Sequence, residues 1–214
     1  MNDDSWRVHV GANVDLSFGN GKAVRVSPDV KAQYVFSDSY VLYAKATGGR
    51  PLNDFRRLET YNPYLDPGQE VRDTYEQLNA GLGFKASPTP GLWFDIFGGY
   101  QNLKDDLYQS ADQWIGGSGA NYIALGQTNT DNFYAGIKAS YEYKDLFALS
   151  AGGTYYHWDT DNKGTDSGAS SYDEALLMKP KFDFGIHAEV HPRPALWLNA
   201  GYQYTRRAER YSVA

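Results

Sequence analysis

Apolar and polar residues alternate along this chain in about nine separate segments, each with its apolar residues on one side. In 24–36, Val26 and Val30 fall on one side of an extended chain, whereas Arg25 and Lys31 fall on the other. Side chains of a β-strand point alternately to its two faces, so this period of two predicts strands with one apolar and one polar face. The same split returns at 78–84, 133–141 and 182–190.

The alternation and the turn-forming residues together predict nine strands. They cover residues 6–18, 23–36, 40–47, 73–86, 92–103, 132–143, 146–157, 176–190 and 195–205. Short connections alternate with long ones, which cover 48–72, 104–131 and 158–175; the turn at Asn20–Lys22 is the one break in this order. Short turns on one side and long loops on the other are typical of outer-membrane barrels.

We therefore predict an all-β fold: an antiparallel up-and-down transmembrane β-barrel, or a large fragment of one, with about nine to ten strands. Residues 1–214 form a single barrel segment in this prediction. Outward positions of 24–36, 78–86, 92–100, 133–143 and 178–190 carry no Asp, Glu, Lys or Arg. This matters because a charge on the lipid face costs about 2–4 kcal/mol at mid-bilayer.

The two ends of the chain lack features that a complete barrel protein would have. Residues 1–5 have neither the charged nor the apolar region of a signal peptide. Residues 206–214 follow the last alternating segment without the apolar strand that usually closes a barrel. We expect the chain to be a piece of a larger barrel in the bacterial outer membrane.

Composition narrows the function classes. Aromatic residues make up 15% of the chain, with 18 Tyr, which suits aromatic girdles at the two membrane interfaces. No run approaches the roughly 20 apolar residues of a membrane helix. The net charge of −6 argues against a nucleic-acid partner. The absence of cysteine excludes disulfides and thiolate metal sites.

The sequence resembles the barrel part of TonB-dependent-receptor-like outer-membrane proteins. The stretches that carry the resemblance are 62–68, 72–85, 99–108 and 179–185. The resemblance implies an outer-membrane location and transport of a nutrient or other ligand, with outer-membrane lipid as a partner. Through the parent protein it further implies a TonB-type energy complex or a surface lipoprotein. The chain itself shows no plug domain, and full receptors of this kind have 22 strands.

Candidate ligand contacts lie in the predicted loops. Trp114 and Tyr122, among glycines, are suited to stack on a ligand, although packing against the barrel mouth explains them as well. Arg56 and Arg57 lie in the first long loop, where acidic residues balance their charge. The loop therefore does not indicate whether the ligand is an anion or a cation. We predict no catalytic residues, cofactor or metal.

Two other chemistries have partial support in the sequence. The segment 159–164 begins like a calcium loop, but Lys163 and Ser170 stand where acidic ligands belong. An outer-membrane hydrolase would need His157 with Asp159 or Asp161 and a nucleophile across the barrel. A further alternative is a soluble or surface-exposed β-sandwich that binds a ligand and buries its apolar faces in a dry core.

Overall fold

The chain folds as one antiparallel sheet. The computed structural model describes residues 5–17, 22–37, 39–65, 69–115, 121–144, 146–161, 175–177, 179–193 and 196–207. The strands are β1 (Trp6–Leu16), β2 (Val24–Ser37), β3 (Tyr40–Gly49), β4 (Tyr75–Thr89), β5 (Leu92–Ile115), β6 (Asn121–Tyr143), β7 (Phe147–Thr160), β8 (Pro180–Arg193) and β9 (Leu196–Arg207). They follow one another in chain order across the sheet. The predicted all-β, up-and-down antiparallel architecture is confirmed.

Helical structure is short. One helix, α1 (Phe55–Tyr61), lies between β3 and β4. The carboxylate of Asp54 caps it by accepting a hydrogen bond from Arg57 N at 2.8 Å. No helix within the described residues is both long and apolar enough to cross a membrane.

Strand pairing keeps apolar residues of neighbouring strands on one face. Ile137 of β6 lies opposite Ile96 of β5, and the next residue, Lys138, lies opposite Asp95. We call the apolar side the outward face and the polar side the inner face. Large apolar side chains on the outward face stay exposed, among them Val10 at 75%. A β-sandwich would cover this face with a second sheet, and the described strands form one sheet only.

Buried apolar side chains lie instead at the long-connection end of the sheet. In the described part of the chain they are Tyr75, Leu103, Leu107, Leu125 and Ala175. A water-soluble sheet would bury its mid-strand apolar residues, since their removal from water drives folding. The small core at one end shows that mid-strand burial does not hold this sheet together.

Aromatic rings gather at both ends of the outward face. Near the short turns, Tyr40 stacks on Phe84 with 6.1 Å between ring centroids. Towards the long connections, Tyr100 packs on Phe133 at 4.8 Å. Ring pairs at these two ends are in the positions of the two interfacial girdles of a membrane barrel.

The prediction of a loop at residues 104–131 is wrong. β5 continues to Ile115 and β6 begins at Asn121, so most of this segment is a long hairpin. Beyond Lys104 and Thr130, the described residues of β5 and β6 pair only with each other. They form a two-stranded ribbon that projects past the rest of the sheet.

A β-bulge explains why the alternation breaks before this ribbon. The pairing of β5 with β6 shifts between Leu103 and Asp106. Asp105 takes a left-handed conformation with φ of 52°, which Asp tolerates better than most residues. The extra residue interrupts the period of two without ending the strand.

The other long connections also differ from the prediction. β3 extends to Gly49, and α1 occupies part of 48–72. β7 extends to Thr160. Residues 162–174 of the third predicted loop, with the second half of the calcium-like segment 159–164, lie outside the described residues.

Candidate functional site: the inner face and its rim

Tyrosine rings lie flat over glycines on the inner face. Tyr43 of β3 covers Gly83 of β4 and donates a hydrogen bond to Asp95 Oδ1 of β5 at 2.8 Å. A Cβ on Gly83 would sit 2.4 Å from the Tyr43 ring, so only glycine leaves room for it. The hydroxyl therefore reaches across a whole strand.

The same arrangement recurs nearer the rim. Tyr134 of β6 passes over Gly99 of β5, where an added Cβ would lie 2.5 Å from its hydroxyl oxygen, and donates to Asn79 Oδ1 of β4 at 2.9 Å. The two tyrosines border a concavity of about 380 Å³. Asn132 also lines it, and its Oδ1 is buried without a hydrogen bond from the described residues. Flat rings beside side-chain amides suit a polar ligand that stacks and hydrogen-bonds.

A larger groove of about 850 Å³ lies nearer the short-turn end. Small residues such as Ser140 and Gly152 form its floor, and Trp93, Lys138 and His187 lie around it. Elsewhere on the inner face, Asp29 contacts His9 at 3.2 Å and Lys31 at 3.1 Å. These side chains are solvent-exposed, so such pairs contribute little stability.

Asp105 is the centre of a polar network at the rim, which we call the rim network. Its carboxylate accepts from Arg25 at 3.2 Å and from Arg72 at 3.4 Å. Its backbone carbonyl accepts from Thr74 Oγ1 at 3.1 Å and Gln127 Nε2 at 2.9 Å. The bulge residue thus joins β2, the segment before β4, β5 and β6.

A second cluster holds the segment that follows β3. Arg50 pairs with Asp73, and its side chain is only 10% exposed. Arg50 Nη2 also donates to Ser17 Oγ at 2.7 Å. Asp73 Oδ1 accepts from Asn53 N at 2.7 Å. Both charges of this cluster therefore have a partner, as burial of charge requires.

Two glutamines fasten residues 69–72 to β6. Leu125 N donates to Gln69 Oε1 at 2.8 Å, and Gln69 Nε2 donates to Leu125 O. In the reverse sense, Arg72 N donates to Gln127 Oε1 at 2.8 Å, and Gln127 Nε2 donates to Arg72 O at 2.7 Å. The side-chain amides thus act like strand partners for the two backbones.

The candidate ligand contacts fall into two places. Arg56 and Arg57 are exposed on α1, where they border a shallow surface with Asp54 and Thr60. Trp114 and Tyr122 are not on a loop tip, because they are register partners in the β5–β6 ribbon. Their side chains lie outside what the structure describes.

Sequence reasoning missed three exposed apolar residues around α1. Leu52, Phe55 and Tyr64 are 58%, 68% and 71% exposed. Their position in an otherwise polar connection was the available signal. Together with Arg56 and Arg57 they form what we call the α1 surface. Aromatic and arginine side chains are the residues most often central to binding.

The histidine proposed for a hydrolase lies within a strand. His157 of β7 is opposite Phe133 of β6, which belongs to the outward face. Asp161 accepts from Asn129 Nδ2 at 3.0 Å and lies 3.9 Å from Lys104 Nζ. No group of three metal-binding side chains occurs among the described residues.

Solved structures similar to this chain are outer-membrane receptors. The siderophore receptor PirA of Pseudomonas aeruginosa aligns over 96% of the chain with a TM-score of 0.62 and 11% identity. The chain has the fold of part of the barrel of these receptors. This fold likeness confirms the resemblance seen in the sequence. PirA of Acinetobacter baumannii aligns over 97% of the chain, with a TM-score of 0.59 and 13% identity. The pyoverdine receptor FpvA of P. aeruginosa aligns over 94%, with a TM-score of 0.58 and 16% identity.

The chain spans about a third of these receptors: 38%, 33% and 29% of their lengths, respectively. At these identities the likeness is one of fold. No protein-family model matches the sequence, and no curated protein matches it. The similar structures are siderophore, pyoverdine and alcaligin receptors.

Proposed function

We propose that this chain forms part of the wall of an outer-membrane barrel that takes up a ligand. The observation that carries the proposal is the exposed outward face, where Leu82 and Ile137 are 66% and 50% accessible. In water a continuous apolar surface of this kind promotes association with other proteins. In a bilayer it is the surface that lipid contacts.

Ligand recognition is assigned to the rim. The α1 surface offers Arg56 and Arg57 beside exposed aromatic rings, and the ribbon carries Trp114 and Tyr122. The FpvA structure was solved with pyoverdine bound, and the two PirA structures are of siderophore receptors. By analogy, we propose a chelated-metal nutrient of the siderophore class as the ligand. A TonB-type energy complex would act through the whole protein.

Paired spin labels test the membrane placement. A label at Ile137 should be relaxed by oxygen, which dissolves in lipid, and shielded from a water-soluble nickel chelate. A label at Lys138, on the inner face, should show the opposite preference. If both labels favour the nickel chelate in reconstituted vesicles, the outward face does not contact lipid and the barrel assignment is wrong.

Substitution on α1 tests recognition separately. Removing both arginines (Arg56→Ala with Arg57→Ala) should weaken binding of a radiolabelled ferric siderophore about tenfold or more, because each charge-assisted contact is a strong one. Lys144→Ala is the matched control, since Lys144 lies in a turn at the opposite end of the sheet. Equal affinity for wild type and the arginine variant would remove α1 from the ligand site.

A further inference from the structure

A notch opens in the sheet above the end of β3. β3 ends at Gly49, whereas β2 and β4 continue past it and approach each other. The hydroxyl of Tyr75 in β4 donates to the carbonyl of Val26 in β2 at 2.6 Å and spans the gap. The space beside this bridge measures about 320 Å³.

The notch lies at the border of the outward face. Val24 and Val26 line it, and both are more than half exposed on the apolar side. Val24 lies twelve residues from Phe36, and Lys104 lies twelve residues from Leu92. At about 3.3 Å per residue and a tilt of about 40°, Val24 and Lys104 lie about 30 Å from the short turns along the membrane normal. The notch therefore lies just past an apolar band about 25 Å tall.

Cations dominate the notch. Lys22, Arg25 and Lys104 line it against one carboxylate, that of Asp105. Asp105 is already paired with Arg25 and with Arg72. Arg25 is held in place by the Tyr75 ring, 4.5 Å from its guanidinium carbon. Lys104 Nζ is 3.9 Å from Asp161, a loose contact that leaves it able to bind another anion.

We propose that this notch binds a phosphate of an outer-leaflet glycolipid. The inference rests on the membrane placement proposed above. Three cations against one carboxylate give the notch a net charge of +2 at headgroup depth, which matches a phosphate. Because Arg25 is paired with Asp105, Lys22 and Lys104 are the two that would donate to the phosphate oxygens. The apolar border at Val24 and Val26 would then lie along the lipid's acyl chains. A free phosphate would gain nothing from that border, which favours the lipid.

Native mass spectrometry of the protein released from nanodiscs tests the assignment. Nanodiscs are prepared with diphosphorylated lipid A or with its dephosphorylated form. Wild type should retain diphosphorylated lipid A, and Lys22→Gln with Lys104→Gln should lower its occupancy about tenfold. The control, Lys31→Gln with Lys45→Gln on the inner face, should retain it as wild type does.

Three results would overturn the site. The first is that the notch variant retains diphosphorylated lipid A as well as wild type does. The second is that wild type retains the dephosphorylated lipid equally well. The third is that wild type binds inorganic phosphate without lipid as tightly as it binds the lipid, and through the same two lysines. Failure of the wild type to enter nanodiscs would instead contradict the proposed function, so the two failures are distinguishable.

Discussion

Arginine substitutions along the outward face of β6 would show how the free energy of unfolding depends on depth in the membrane. Phe133, Ala135, Ile137, Ala139 and Tyr143 all lie on that face. From Phe133 to Tyr143 the strand rises about 25 Å along the membrane normal, at about 3.3 Å per residue and a tilt of about 40°. Ile137 and Ala139 therefore lie within a few ångströms of the bilayer centre.

The expected cost of arginine follows this depth. At the midplane it is about 2–4 kcal/mol, and near the interfaces about 0–1 kcal/mol. Ile137→Arg should therefore lower the folding equilibrium constant about 30-fold to several hundred-fold. Phe133 and Tyr143 lie near the two interfaces. The arginine charge should therefore lower the free energy of unfolding much less in Phe133→Arg and Tyr143→Arg than in Ile137→Arg. The free energy of unfolding is measured by denaturant titration of the protein in lipid vesicles, with tryptophan fluorescence as the signal.

Ser140→Arg provides the matched control, because Ser140 lies on the inner face of the same strand. Its free energy of unfolding should change little. A cost that is uniform along β6, or highest at Phe133, would refute the membrane-depth reasoning. The reasoning would also be refuted if the cost of arginine at each position of β6 were the same in a detergent-free aqueous buffer as in lipid vesicles.

Three further predictions concern the inner face and the rim. Gly83→Val should lower the free energy of unfolding by about 1–3 kcal/mol, because its side chain must displace the Tyr43 ring; Tyr43→Ser in the same protein should recover part of that loss in denaturant titration. Asp73→Ala should cost on the order of 3 kcal/mol, because it leaves Arg50 buried and unpaired; unchanged proteolysis of residues 50–74 would contradict this. Trp114→Ala should weaken ligand binding about tenfold if the ribbon forms part of the site, and titration calorimetry that gives wild-type affinity would exclude it.

The strands near the short turns could be predicted because one rule applies there without interruption. In β6, for instance, every second residue from Phe133 to Tyr143 is apolar, and pairing in the structure follows that period. The ribbon could not be predicted in the same way. Lys104, Asp105 and Asp106 place three charges in a row, which indicates a loop, whereas the bulge at Asp105 carries the strand through them.

The rim network was beyond prediction for a different reason. Arg25 and Asp105 are 80 residues apart, and they meet because β3 ends at Gly49 between them. Neither residue has a local signal for that contact. The α1 surface is an intermediate case: Asp54 is a recognisable helix cap, but a seven-residue helix in a long polar connection offers little periodicity to detect.

The bulge at Asp105 also lets β5 carry one extra residue without reversing its far end. Three steps along β5, from Leu103 to Asp106, span only two steps along β6, from Thr130 to Thr128. Deleting Asp105 would therefore restore strict alternation and leave Asp106 opposite Thr128 and Leu107 opposite Gln127. The same deletion would remove the carboxylate that accepts from Arg25 and Arg72. Length variation of one residue at this point can thus dissolve the rim network while the projecting arm keeps its orientation.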